Sequence, residues 1–427
     1  MTPPLPRSVA PPVTAAGLPA LQRRTSAVLV VSQILGGLGV AIGIALAPML
    51  ATEVTGTEAL SGLAPTASVA GTALLSLPLA AVMTSRGRRP GLVLAYLIGA
   101  LGGALVVIGT VVRSFPLLLL GMAAFGAGSS ANLQARFAAA DLVGPERRGR
   151  AISTVVWATT IGSVVGPNIA APAGRVFRGS PVPETAGPYL WSAVAFLLAG
   201  AVVAVLLRPD PLLTARALAP QGRQTRSLRA GVAAVRASPM AKLALGTVTV
   251  SHTAMVSIMV MTPVHLGGHG AGLQLIGLVI SGHIAGMYAF SPVMGWLADR
   301  FGRLSVIGLA VGLLSGAALL AGTAGPRHGQ TALGLFLLGL GWSAGIIAGS
   351  ALLTDSVPQD ARAAVQGLSD LTMNAAAGIG GATAGVIVAQ WGYGPLNAIG
   401  AALLLPVAAL ALRRSLKGAA RPGVTKV

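Results

Sequence analysis

The chain has 427 residues, of which 54% are hydrophobic and only 9% charged. A soluble globular domain carries roughly 25% charged residues, so this chain cannot coat a water-facing surface, and a lipid bilayer is the solvent its composition requires. Cysteine is absent, which excludes a disulfide framework and a thiolate metal site; no metal and no cofactor is expected.

Residues 1–25 are Pro-rich, close on Arg23 and Arg24, and are expected to form a disordered tail. The apolar run at about 26–50 exceeds the roughly 7–15 residues of a signal-peptide core and reads as a membrane-spanning helix. Further runs follow at about 61–84, 90–111, 115–140, 151–172, 187–207, 240–264, 272–297, 304–324, 330–354, 363–390 and 392–412. Each is near or above the ~20 residues a helix needs to cross the hydrocarbon. Gly and Pro interrupt many of them, as membrane helices allow, because neighbours re-satisfy the freed backbone groups. The expectation is an all-α membrane protein of twelve transmembrane helices. A six-helix bundle occupies 26–207, a linker rich in Arg and Pro 208–239, a second six-helix bundle 240–412 and a tail 413–427.

The formal net charge is +19. With the N-terminus inside, the outer loops hold only Arg113, Arg175, Arg178 and Arg327, while the remaining basic residues crowd the inner loops and tails, Arg136 alone lying within a span. The positive-inside rule then puts both termini in the cytoplasm. The Arg-, Ala- and Gly-rich composition points to a bacterial plasma membrane. The charge is that of loops facing anionic lipid, and no nucleic-acid partner is needed.

The two halves repeat. Pro78 and Pro292, Arg86 and Arg300, Arg89 and Arg303, Asp141 and Asp355, Arg148 and Arg362, and Gly166 and Gly380 are all separated by one constant interval. Each pair falls at the same place in its half. In the second half the run Gly295-Trp296-Leu297-Ala298-Asp299-Arg300-Phe301-Gly302-Arg303 resembles the loop signature of the major facilitator superfamily, Gly-x-Leu-x-Asp-Arg-x-Gly-Arg. The first-half copy, Met83-Thr84-Ser85-Arg86-Gly87-Arg88-Arg89, keeps the basic cluster and the Gly but lacks the Asp. The resemblance implies two pseudo-symmetric bundles in parallel repeat and a loop that helps close the cytoplasmic gate. It implies that Asp299 accepts from Arg300 or from a helix N-terminus in the opposite half, where the dipole is positive. Asp141, Arg148, Asp355 and Arg362 are expected to form charge pairs at the same end.

Gly162-Ser163-Val164-Val165-Gly166-Pro167 in the fifth span is similar to the antiporter motif of drug:proton antiporters. Gly162 and Gly166 make a flat strip for close helix approach, and Pro167 bends the helix. Ala170 and Ala171 stand where that motif has glycines, and Met122 stands where such antiporters carry an Arg, four residues before Gly126.

Of the ten acidic residues, only Asp370 lies clearly inside a span, about two turns into the eleventh. Histidine is the alternative proton carrier, because it titrates near neutral pH. His252 and His283 sit ~17 Å into the seventh and eighth spans; each is otherwise a neutral imidazole bonded to an adjacent helix. Gln33, Asn132, Asn374, Trp157, Trp342 and Arg136 complete the candidate cavity, the tryptophans as stacking faces and Arg136 as a partner of Asp141 or a binder of anions. Gly341-Trp342-Ser343-Ala344-Gly345 fits a hydrolase nucleophile elbow in letters only, since it lies inside an apolar helical run and that motif needs a strand-to-helix turn. No phosphate-binding Gly-x-x-x-x-Gly-Lys-Ser/Thr is present, so ATP is not the expected energy source. The expectation is a monomeric secondary transporter, not an enzyme, working by alternating access with proton-coupled efflux of a small-molecule substrate. The alternatives are proton-coupled uptake of a metabolite or vitamin, and a transport-inactive membrane sensor or scaffold.

Overall fold

The computed structural model describes residues 17–44, 46–56, 60, 63–218, 228–271 and 273–419. The first half holds α1 (Leu18–Ile44), α2 (Ala47–Thr55), α3 (Leu63–Arg86), α4 (Arg88–Val111), α5 (Phe115–Ala140), α6 (Arg148–Arg175) and α7 (Gly187–Leu206). Two short helices follow, α8 (Pro211–Leu218) and α9 (Leu228–Ala237). The second half holds α10 (Pro239–Gly268), α11 (Leu273–Tyr288), α12 (Ser291–Phe301), α13 (Arg303–Gly322), α14 (His328–Asp355), α15 (Arg362–Trp391), α16 (Tyr393–Ala402) and α17 (Leu405–Ala419). Among the described residues, 11 stretches are long and apolar enough to cross a membrane. The 28-residue α6 is not among them, and adding it gives a count consistent with the twelve expected. The protein is therefore a multi-pass membrane protein of all-helical fold.

Helix ends follow local chemistry. Proline occupies the first turn of α2, α5, α7, α10 and α12, where its missing N–H costs nothing. The repeated prolines behave differently: Pro78 lies inside a continuous α3, whereas Pro292 opens α12 and breaks the eighth span in two. Gly87 and Gly302 have φ of +98° and +88°, a conformation that favours glycine, and each turns one span directly into the next.

Two expectations are corrected. The first span begins at Leu18, so residues 18–25 are helix and not tail, with Leu21 and Thr25 buried; residues 1–16 lie outside the described residues. At the other end α17 runs to Ala419, which takes the first residues of the expected 413–427 tail into a helix, and 420–427 lie outside.

Within each half, small residues bring backbones together. A Cβ on Gly121 would stand 2.6 Å from the Val106 nitrogen, and one on Gly102 2.7 Å from the Gly121 carbonyl, so α4 and α5 meet backbone to backbone. Phe125 fills the first bundle, 5.1 Å from Phe196 and 5.4 Å from Tyr189. The halves meet along two seams, α3 with α15 and α6 with α12, the second extended by α11 and α14. These seams carry the candidate site.

Candidate functional site

At the α6–α12 seam, Asp299 reaches from the second half into the first turn of α6. Its two oxygens accept from the backbone N–H of Gly149 and of Arg150, both at 2.9 Å. Of the two partners the sequence offers, the helix N-terminus is the one used, while Arg300 stays exposed. Arg303 donates to Asp299 at 2.9 Å, to the Ala298 carbonyl at 2.7 Å and to Asp355 at 3.2 Å, and also reaches the Pro145 carbonyl. Asp355 in turn pairs with Arg148 of α6. Gly149 and Gly295 cross here: a Cβ on either would lie 2.6–2.7 Å from the other's carbonyl oxygen. Leu297, between Gly295 and Asp299 in the motif, packs against an apolar cluster that includes Ala140 and Ile152 of the first half.

At the α3–α15 seam the polar groups are buried deeper. Arg88 is fully buried, donating to Asp141 at 2.8 and 3.3 Å, to Gln134 at 3.2 Å and to Gln366 of α15. Gln134 donates to Asp370 at 2.8 Å, and Arg136 pairs with Asp370 at 2.7 Å. The chain of contacts Asp141–Arg88–Gln134–Asp370–Arg136 thus crosses from α4 and α5 into α15. The expected pairing of Arg136 with Asp141 is corrected. Five residues apart on a helix of 3.6 residues per turn, the two point to different sides, and each meets a closer partner on another helix. Arg362, also expected to pair, opens α15 with its Nε unpartnered among the described residues. Gln366 was missed by sequence reasoning; its spacing of four before Asp370 puts both on one helical face, which is the signal that marks it.

The first-half loop obtains its acid from elsewhere. Asp210, beside α8, accepts from the Arg89 N–H at 2.7 Å and from Leu212 and Leu213 at 3.0 and 3.1 Å, while Arg216 donates to the Thr84 carbonyl at 2.8 Å. Arg86 is exposed.

Farther from these loops, the indole N–H of Trp342 donates to Nδ1 of His252 at 2.9 Å, and Tyr288 meets Trp342 edge-on at 5.5 Å. Gln33 donates to Thr159 at 2.8 Å and keeps its Oε1 buried without a partner among the described residues. Tyr96 stands 3.0 Å from Asn132. Asn374 donates to the Asp370 carbonyl at 2.8 Å. Trp157 is 38% exposed. His283 departs from the expectation of a cavity residue: it is buried on the α11–α14 packing face, its Nδ1 2.8 Å from the Leu335 carbonyl. A helix eleven residues deep still has a protein-facing side, and His283 is on it. On α6, a Cβ at Gly162 would lie 2.5 Å from the Leu38 nitrogen and one at Gly166 2.6 Å from the Ala41 side chain, so this strip packs against α1. The side chain of Pro167 lies outside those described. Among the described residues, no three His, Asp or Glu gather as metal ligands.

The family model described as Major Facilitator Superfamily matches residues 29–274 and 243–426. The chain is 37% identical to the uncharacterized MFS-type transporter YddS of Bacillus subtilis over 402 residues, 92% of each protein. It is 30% identical to the riboflavin transporter RfnT of Brucella anthropi over 392 residues, 91% of this chain and 94% of that one. Among solved structures, the human organic anion transporter MFSD10 superposes with a TM-score of 0.72 at 17% identity, covering 91% of this chain and 99% of that chain. A bacterial homologue of the iron transporter ferroportin in an outward-facing state gives 0.70 at 16%, covering 92% and 99%.

Proposed function

This chain belongs to the major facilitator superfamily, and from that premise we propose that it is a secondary active transporter of small organic solutes whose halves rock between two states under the control of protons at Asp370. The observation that carries this reading is the Arg136–Asp370 pair, 2.7 Å long and buried between two bundles. Charge at membrane depth is costly and is retained for function. A buried pair holds its two helices together, and removing one charge strands the other in a medium that cannot solvate it. A proton on Asp370 therefore weakens the seam and favours the state in which Arg136 meets water. Because the two states differ in proton affinity, a proton gradient biases their populations.

The basic loops support assigning the sealed end, and both termini, to the cytoplasm. The Asp299 latch and the Arg88 network then close the inner gate. Gln33, Asn132, Asn374, His252, Trp157 and Trp342 offer solute-facing groups above it. Efflux is the direction we assign, on the tight packing of Gly162 and Gly166 against α1, which would seal α6 in one state. A second reading, uptake of a flat heteroaromatic metabolite, is favoured by the riboflavin transporter among the relatives and by the His252–Trp342–Tyr288 group.

Membrane vesicles of opposite sidedness separate these. Efflux predicts solute accumulation in everted vesicles driven by an acid interior. Riboflavin accumulation in right-side-out vesicles supports the second reading. Flux that ignores both the pH gradient and Asp370→Asn would remove protons from the mechanism.

A further inference from the structure

Where α3, α9 and α15 meet at the basic end, the protein leaves a crevice of about 240 Å³. Leu77, Pro78, Ala80, Ala81 and Thr84 of α3, Leu228 of α9 and Ala364 of α15 line it. The one polar side chain among them, Thr84, already spends its hydroxyl on the Ala80 carbonyl at 2.7 Å. The volume falls below the roughly 300–1,000 Å³ of a small-molecule pocket. Its wall includes the outer face of a membrane-spanning helix: Pro78 and Ala81 are exposed, and Leu74, one turn along α3, is 71% exposed.

The helices that line this crevice also carry exposed arginines, Arg86 two residues beyond Thr84 and Arg229 next to Leu228. α9 turns its apolar side inward, Gly231 lying against Ala364 and Val235 joining the cluster of Leu353, Val357, Ala361 and Val365. Its opposite side carries Arg229, Ala233 and Arg236, all exposed and spaced for one helical stripe. Arg86 ends α3 just beyond Thr84 and is exposed too. None of these three arginines takes part in an ion pair among the described residues. An apolar slot lined by helices that also carry exposed arginines outside any ion pair among the described residues matches a molecule with a hydrocarbon chain and an anionic head.

We propose that this crevice binds an anionic phospholipid, part of an acyl chain in the slot and the headgroup phosphate on Arg86, Arg229 and Arg236, and that the bound lipid holds the α3–α15 seam closed. The seams are unequal in a way that gives the lipid this role. The α6–α12 seam has the Asp299 latch, but the repeat puts Ser85 at the matching position, where its hydroxyl turns back to the Ala81 carbonyl at 2.9 Å. The crevice lies at the seam that lacks this carboxylate latch, so a lipid bridging α3 and α9 adds a cross-link at the loop end, beside the buried Asp370 network. The binding claim is independent of solute and direction; only the seam claim rests on the alternating-access reading.

Full-length protein in detergent, given equal phosphatidylglycerol and phosphatidylcholine, tests binding by native mass spectrometry. Retention of phosphatidylglycerol is expected, about fivefold weaker for each of Arg229→Gln and Arg236→Gln, and lost in Ala81→Leu, which fills the slot and leaves the charges. Equal retention of the two lipids, unchanged retention in these variants, or an equal drop in Arg413→Gln on α17 would overturn it. So would displacement by inorganic phosphate alone, which marks a free-anion site. For the seam, the chain has no cysteine, so probes at Glu146→Cys and Asp360→Cys report the distance between the halves at the basic end. Phosphatidylglycerol in nanodiscs is expected to enrich the short distance in the parent and not in Ala81→Leu. Bound lipid with an unaltered distance distribution overturns the seam claim alone.

Discussion

Asp370 accepts from Gln134 and Arg136, both on α5 of the other half, and its isolation from water decides what substitutions there do. Arg136→Leu leaves a buried carboxylate without its cation, a loss of about 3–5 kcal/mol that should appear as a marked fall in melting temperature in detergent. The double variant Arg136→Leu, Asp370→Leu is expected to recover most of that loss while transport ceases to respond to pH. A double variant no more stable than the single one would mean the pair does not bridge the halves. Asp370→Asn keeps the size of the side chain and removes the charge, so solute exchange should persist with its pH dependence flattened. His252 has a different character. Its Nδ1 already accepts from Trp342, so in the proposed reading Nε2 is the nitrogen that meets a solute. We expect His252→Ala to raise KM several-fold with the pH profile retained; collapse of the profile would move the proton from Asp370 to His252.

At the scale of elements, the α6–α12 seam is a helix end held by a carboxylate. Asp299 contributes two charge-assisted bonds to α6, each worth about 1.5–3 kcal/mol, and it also anchors Arg303. Asp299→Ala should therefore shift the protein toward the state open at the basic end, raising the labelling rate of a cysteine placed at Ser153 by at least about tenfold. Unchanged labelling would mean the α3–α15 seam alone sets closure. Gly149→Val tests the same seam by volume instead of charge. A side chain there meets the Gly295 carbonyl within 2.7 Å, and that oxygen belongs to a helix backbone that cannot step aside. The variant should fold and bind solute from the outer side yet fail to complete a cycle, because closure needs α6 and α12 in contact. Normal turnover in Gly149→Val would show that this crossing is not formed during transport. The α8–α9 region works on both halves. Asp210 and Arg216 attach α8 to the first-half loop, while α9 rests on α10 and α15.

Over the whole molecule, composition dictates the solvent and the solvent dictates the fold. With 9% charged residues, the chain buries its backbone polar groups in helices because lipid offers them no partner. The long apolar runs, the repeat and the basic loops were legible for that reason: each is written in residue type and spacing. Span existence was clear, but span interiors were not, since periodicity cannot distinguish a continuous helix from one broken at Pro292. The candidate site was legible in part. Asp299 announced itself through a motif, with the opposite helix N-terminus among its expected partners, and Asp370 through its rarity, but the partners of Asp370 did not. Gln134, Gln366 and Arg88 are ordinary residues in sequence and become a network only when α4, α5 and α15 converge.

What the sequence determined by itself is the membrane, the duplicated six-helix plan and the location of the basic loops, because hydropathy, interval and charge are properties of the chain read in one dimension. Tertiary structure alone decided which charge meets which. Arg136 turned from Asp141 to Asp370, His283 turned from the cavity to a helix face, and the acid missing from the first-half loop arrived as Asp210. The physical reason is that a buried charge pairs with whatever opposite group packing brings within reach, and packing joins residues that lie hundreds of positions apart.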